Sequence, residues 1–142
     1  MVSFFKWVMN MPTVKVEFQG YPNPRGQVPI LLGLRRRTEF TVTRSNPLTI
    51  GSAHDCRIIV DDGHTSIEGK HILIGQNEDN DKYVYIQFSR SKPTFMGDPN
   101  DRINMTGKRV DLNQKNLNVF WIQTTDGQSK TYLKISITLQ AP

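Results

Sequence analysis

Lys70-His71-Ile72-Leu73-Ile74, then Asn77-Glu78-Asp79-Asn80-Asp81-Lys82, then Tyr83-Val84-Tyr85-Ile86-Gln87-Phe88: this stretch decides the fold. In its last part Tyr83, Tyr85 and Gln87 alternate with Val84, Ile86 and Phe88, the two-residue period of a strand with one buried face. The first part is an apolar run rich in β-branched residues, and the Asn and Asp residues between them favour a turn. Together they predict a β-hairpin.

The same punctuation continues on both sides. Upstream, Thr13 to Phe18 sets Val14, Val16 and Phe18 against Lys15 and Glu17, a half-buried strand, and a Pro/Gly-rich loop follows from Gly20 to Gly26. Val28 to Leu34 is a second apolar run, in which Pro29 argues for an edge position or a late start. Thr38 to Thr43 is a strand with Phe40 and Val42 toward the core, and Ser45-Asn46-Pro47 is a turn. Leu48-Thr49-Ile50-Gly51 and Arg57-Ile58-Ile59-Val60 are short strands, the second ending in the turn Asp61-Asp62-Gly63. Downstream, Pro93, Gly97, Pro99 and Gly107 make Ser89 to Lys108 read as loop. Arg109 to Leu112 is a short strand, Leu117 to Thr124 a strong one, Asp126-Gly127 a hairpin turn and Thr131 to Leu139 the last strand.

About ten short strands with frequent turns predict an all-β sandwich or barrel, and the reading adopted is a single β-sandwich domain over residues 13–142. Residues 1–12 form an apolar segment before it. Phe4, Phe5, Val8 and Met11 can share one face of a short helix capped by Ser3 and stopped by Pro12. Such a helix covers the domain's own core, or docks on a partner or a membrane surface; in an oligomer, Phe4, Phe5 and Trp7 would be the anchor.

Composition narrows the classes. A chain of 142 residues with 37% hydrophobic and 22% charged residues can bury one core and is not of disordered type. Cys56 is the single cysteine, which excludes an internal disulfide. No run reaches the length of a membrane span and the N-terminus makes a poor signal peptide, so the expected location is intracellular, in cytoplasm or nucleus, unless the chain is part of a virus particle. A formal net charge of +5 could attract nucleic acid, anionic lipid or an acidic partner without specifying one.

Signals for catalysis are absent. No Gly-x-Ser-x-Gly elbow, Walker loop or dinucleotide fingerprint occurs, so an enzyme is not expected and no cofactor is implied. His54, Cys56, His64 and His71 fall within 18 residues, but their spacing fits no zinc motif; they read as a buried thiol and three loop or strand histidines, with no metal. Glu78, Asp79 and Asp81, like Asp98 and Asp101, read as solvated turns rather than calcium loops, and Asn104-Met105-Thr106 as a chance glycosylation sequon. Arg35-Arg36-Arg37 is the densest charge run, with either of two uses: protecting a strand edge or contacting phosphate. A nucleic-acid-binding or viral structural protein would draw its positive surface from Arg25, Arg35, Arg36, Arg37, Lys108 and Arg109, and could stack bases on Tyr83, Tyr85, Phe88, Phe95 or Trp121 where these are exposed.

From about Phe40 to Ile137 the chain resembles a forkhead-associated (FHA) domain, a phosphothreonine-binding β-sandwich. Leu48-Thr49-Ile50-Gly51 is similar to that family's early strand and its Ile-Gly, Asp55 to Asp61 to the next strand, Thr65 to Ile74 to the Ser-x-x-His segment, and Ile103 to Val110 to the late loop. The pattern departs in three places. Ser52 stands where the family has arginine; Ser66 and His71 are five apart instead of three; and the late loop offers Thr106-Gly107. The resemblance implies a non-catalytic protein–protein interaction module whose binding end is made of loops. Ser52, Arg57, Ser66, Lys70, Arg102, Thr106 and Gly107 are its expected partner contacts. Ser66 would donate a hydroxyl hydrogen bond to phosphate; Lys70, Arg57 or Arg102 would supply charge, and the amides near Thr106 and Gly107 would hold the partner chain.

Overall fold

The computed structural model describes residues 11–21, 30–32, 39–61, 67–98, 101–113, 117–124 and 131–140. Residues 1–10 of the expected N-terminal segment 1–12, residues 22–26 of the expected loop Gly20 to Gly26, the Arg35-Arg36-Arg37 cluster and the turns at 62–63 and 126–127 lie outside them; Gly20 and Tyr21, expected in the loop, are strand.

Among the described residues twelve strands are formed: β1 (Thr13–Tyr21), β2 (Ile30–Leu32), β3 (Glu39–Thr41), β4 (Leu48–Gly51), β5 (Ile58–Asp61), β6 (Ile72–Gln76), β7 (Val84–Phe88), β8 (Phe95–Asp98), β9 (Asp101–Asn104), β10 (Arg109–Leu112), β11 (Leu117–Thr124) and β12 (Thr131–Gln140). They make two six-stranded sheets, in the orders β3-β1-β12-β11-β8-β9 and β10-β7-β6-β4-β5-β2. The predicted hairpin is β6–β7, paired antiparallel from Ile72↔Phe88 to Gln76↔Val84.

The sheets pack together in a β-sandwich-like arrangement because alternation along the core strands aims one apolar row inward. Val14, Val16, Phe120, Ile122, Leu133, Ile135 and Ile137 from the first sheet meet Leu48, Ile50, Ile58, Ile72, Ile74, Val84, Ile86 and Phe88 from the second. The rings of Phe88 and Phe120 touch across the seam, 4.9 Å between centroids. Each such side chain contributes roughly 1.5–3 kcal/mol on full burial.

Two features depart from the expectation. Residues 95–104, read as loop, form the β8–β9 hairpin at the edge of the first sheet. Its strands are only four residues long, and Gly97 takes a positive φ of 94°. The sheet tolerates this because the hairpin lies at the margin, where few ladder bonds depend on each residue. Its carbonyl at Gly97 accepts from Trp121 Nε1 at 2.6 Å. Second, β4 and β5 are parallel neighbours, Ile50↔Ile58 and Gly51↔Ile59, although parallel strands ordinarily need a long crossover. Here residues 52–57 suffice, because the Arg57 N–H donates to Thr49 Oγ1 at 3.0 Å and the Cys56 N–H to the Ala53 carbonyl at 3.2 Å. Among the described residues no helix is long and apolar enough to cross a membrane.

Candidate functional site

The strand directions bring four separate segments to one end of the molecule: Gly51 to Cys56 after β4, Ile67 to His71 before β6, Ser89 to Thr94 after β7 and Met105 to Lys108 before β10. Backbone hydrogen bonds stitch them together. His71 N donates to Ile50 O (2.9 Å), Ser52 N to Glu68 O (3.1 Å) and Ala53 N to Gly69 O (3.1 Å). Ser89 N donates to His71 O (2.9 Å), Gly107 N to Ser89 O (2.7 Å) and Met105 N to Thr94 O (2.8 Å). Gly51 makes the closest approach possible: a Cβ there would sit 2.1 Å from the Gly69 carbonyl oxygen and 2.8 Å from that of Glu68. Only hydrogen fits, which gives the Ile-Gly pattern a steric reason.

His71 is the centrepiece, 1% exposed. Its Nδ1 accepts the Glu68 backbone N–H at 3.1 Å. An accepting Nδ1 carries no proton, so Nε2 does, and it donates to the fully buried Thr94 hydroxyl at 2.9 Å. The ring thus spans two loops and satisfies buried groups of both, which is a bracing role.

The Glu68 side chain fastens the same loops on the outside. Its carboxylate accepts hydrogen bonds from the Ser89 hydroxyl and, at 2.6 Å, from the Ser91 hydroxyl. Ser89 Oγ in turn accepts the amides of Ser91 (3.2 Å) and Lys92 (3.0 Å), closing a tight turn. The Ser89 and Ser91 hydroxyls hold the Glu68 carboxyl below its usual range; partial desolvation opposes them, and charge from Lys92 assists.

The expected site residues fall into three groups. Ser52, Lys70, Thr106 and Gly107 are brought to this end. Ser52 is exposed, and Lys70 lies 3.5 Å from the Asp55 carboxylate in an exposed pair worth little. Thr106 bonds through amide and hydroxyl to Asn104 Oδ1, and Gly107 completes that turn at φ 72°. Arg57 is not brought there: its guanidinium donates to the carbonyls of Thr41 (3.0 Å) and Asn46 (3.1 Å) and lies over the Phe40 ring, away from the loops. Ser66 lies outside the described residues, and so does the side chain of Arg102, whose backbone pairs in β9 opposite Gly97.

Of the alternative set, Lys108 is exposed at the loop end. Arg109 stacks on Tyr85 at 4.1 Å and pairs with Glu78 (2.6 Å) and Asp111 (3.0 Å); Arg25, Arg35, Arg36 and Arg37 are outside the described residues. Phe88 and Trp121, considered for base stacking, are buried and cannot serve. Among the described residues no three His, Cys, Asp or Glu side chains gather as a metal site. Cys56 is buried, its thiol pushed up by that burial and donating to the Gly69 carbonyl at 3.0 Å.

Sequence reasoning missed Glu68, Ser89, Ser91 and Thr94. One signal was present: counting three back from His71, as Ser-x-x-His spacing requires, lands on Glu68 and not on Ser66. Compared with known proteins, the chain matches no family model and no curated protein sequence.

Proposed function

We propose that the chain is a non-catalytic protein–protein interaction module of forkhead-associated type, and that the end formed by Gly51 to Cys56, Ile67 to His71, Ser89 to Thr94 and Met105 to Lys108 is its recognition surface. The observation that carries the reading is the cross-bracing of these segments through His71: the ring joins the Glu68 amide to the Thr94 hydroxyl and is itself buried. A surface fixed in advance loses little entropy when a partner binds, which is what a recognition loop cluster requires. Exposed Ser52, Lys70, Arg90, Ser91 and Lys108 give its rim hydroxyls and positive charge, suited to an acidic segment of a partner protein.

The test is a peptide library presented with and without phosphothreonine to the 15N-labelled protein. The expected result is binding whose amide shifts cluster on residues 51–56, 68–71, 89–94 and 105–108. Shifts confined to the opposite end, around Arg44 and Asp81, would overturn the reading. So would tighter binding to duplex or single-stranded nucleic acid that falls steeply with salt.

A further inference from the structure

We propose that Glu68 is a built-in anion: its carboxylate fills an oxyanion cradle formed by the Ser89 and Ser91 hydroxyls beside Lys92, so the protein recognises its partner without phosphate. This rests on the loop end being the recognition surface.

Three observations lead there. Both hydroxyl donors converge on one carboxylate, Ser91 at 2.6 Å. Ser89 is buried, and its oxygen is already committed as acceptor to the amides of Ser91 and Lys92, so its proton has one direction in which to point. Ser91 is exposed, so the cradle opens to solvent, where a partner's oxyanion would enter. Convergent hydroxyl donors are groups that hold a phosphoryl or carboxylate oxygen.

Glu68 is also fixed on both sides of its side chain. Its amide is held by His71 Nδ1 and its carbonyl by the Ser52 amide. The carboxylate is therefore presented from a braced backbone rather than a swinging loop. A phosphate approaching the same donors meets a like charge already in place. Glu68 stands three residues before His71, the position at which a Ser-x-x-His pattern would put a hydroxyl. One substitution at that position replaces a donor to an incoming anion with an anion.

The experiment titrates inorganic phosphate at constant ionic strength into wild type, Glu68→Ala, Glu68→Ser and Glu68→Ala/Ser91→Ala, following backbone amides by NMR. Glu68→Ala and Glu68→Ser are expected to gain saturable shifts at Ser89, Ser91 and Lys92, with affinity about tenfold or more above wild type. The double variant is expected to lose that gain. Glu68→Ser keeps a short polar side chain on the same backbone, so the result does not hang on the alanine variant's folding. Wild-type binding equal to that of both single variants, or shifts that survive Ser91→Ala, would overturn the proposal. A second arm offers one threonine peptide with and without phosphate. A phosphate preference that appears only in the Glu68 variants supports the plug; a preference already present in wild type refutes it. Phosphate gained by the variants while wild type binds no peptide at the loop end keeps the cradle and rejects the interaction reading. The reverse pattern rejects the cradle alone.

Discussion

The two ends of the molecule are held by different means. At the end opposite the loop cluster, the β6–β7 turn closes on itself: Asn77 Oδ1 accepts the amides of Asp79 and Asn80, Asn80 Oδ1 accepts that of Lys82, and Gln76 Nε2 reaches the Asp81 carbonyl. Arg44 clips the neighbouring turn onto it, bonding to the carbonyls of Asn77 and Glu78 and pairing with Asp81 at 2.6 Å, all in the open. At the loop end the bonds join segments far apart in sequence, and the key partners are buried. The first end is a local structure with charges added; the second exists only in the assembled fold. Exposed ion pairs contribute little, whereas stranding a buried polar group is costly, so the two ends should respond to substitution on different scales.

The sharpest way to break this contrast is Gly51→Ala, whose methyl has no room beside the Gly69 carbonyl. A loss of about 3 kcal/mol or more in urea denaturation is expected, since neither backbone can yield without parting β4 from the 67–71 segment. Gly69→Ala is the matched control: its added methyl meets only Ala53 Cβ, at 3.6 Å, and should cost less than about 1 kcal/mol.

Next in size is His71→Ala. Removing the ring strands the Glu68 amide and the Thr94 hydroxyl and leaves a hole, for an expected loss of about 2–4 kcal/mol by the same measurement. Arg44→Ala at the other end should cost no more than about 1 kcal/mol. Equal losses for the two would erase the distinction.

Acid separates the ends more finely. Hydroxyl donors depress the Glu68 carboxyl, and the Arg109 guanidinium depresses that of Glu78. With a folded value below the unfolded one, each carboxyl stabilises the protein fully above the ordinary carboxylate range. That contribution is lost as pH falls through the range toward the lower folded value. The causes differ, so salt should tell them apart. In a 13C titration repeated at about 0.5 M salt, Glu78 should move back toward its ordinary value, because an exposed ion pair is screened, while Glu68 stays low. Ser89→Ala/Ser91→Ala should release Glu68 alone.

The smallest effect concerns Cys56. Burial keeps its thiol protonated, so alkylation by iodoacetamide near pH 8 should be slow in the folded protein and become fast with unfolding. Rapid labelling of the native protein would mean that the 52–57 connection opens readily.

The same contrast explains what the sequence made legible. β7 and β12 were readable because alternation is a property of neighbouring residues, β6 and β11 because an apolar run is equally local, and the 77–82 turn because its hydrogen bonds span only a few positions. The β8–β9 hairpin was hidden: glycine and proline signal loop locally, and only pairing with β11 makes a strand of Phe95 to Asp98. The site was hidden for a like reason. Nothing local announces that Ser89 and Ser91 will face Glu68, more than twenty positions away. Arg57 shows the opposite failure: a residue suited to phosphate whose charge the fold spends on two carbonyls.

The register between β1 and β12 sets a timetable. Thr13 pairs with Gln140 and Tyr21 with Tyr132, so the earliest described strand is completed by the last one. On a ribosome, β1 emerges long before its partner β12 exists, while the β6–β7 hairpin can close early and alone. The second sheet can therefore be largely paired while the first still lacks its central strand, leaving the apolar row Val14, Val16 and Phe18 incompletely covered until β12 has emerged. During that interval the nascent chain depends on whatever shelters a bare strand in the cell.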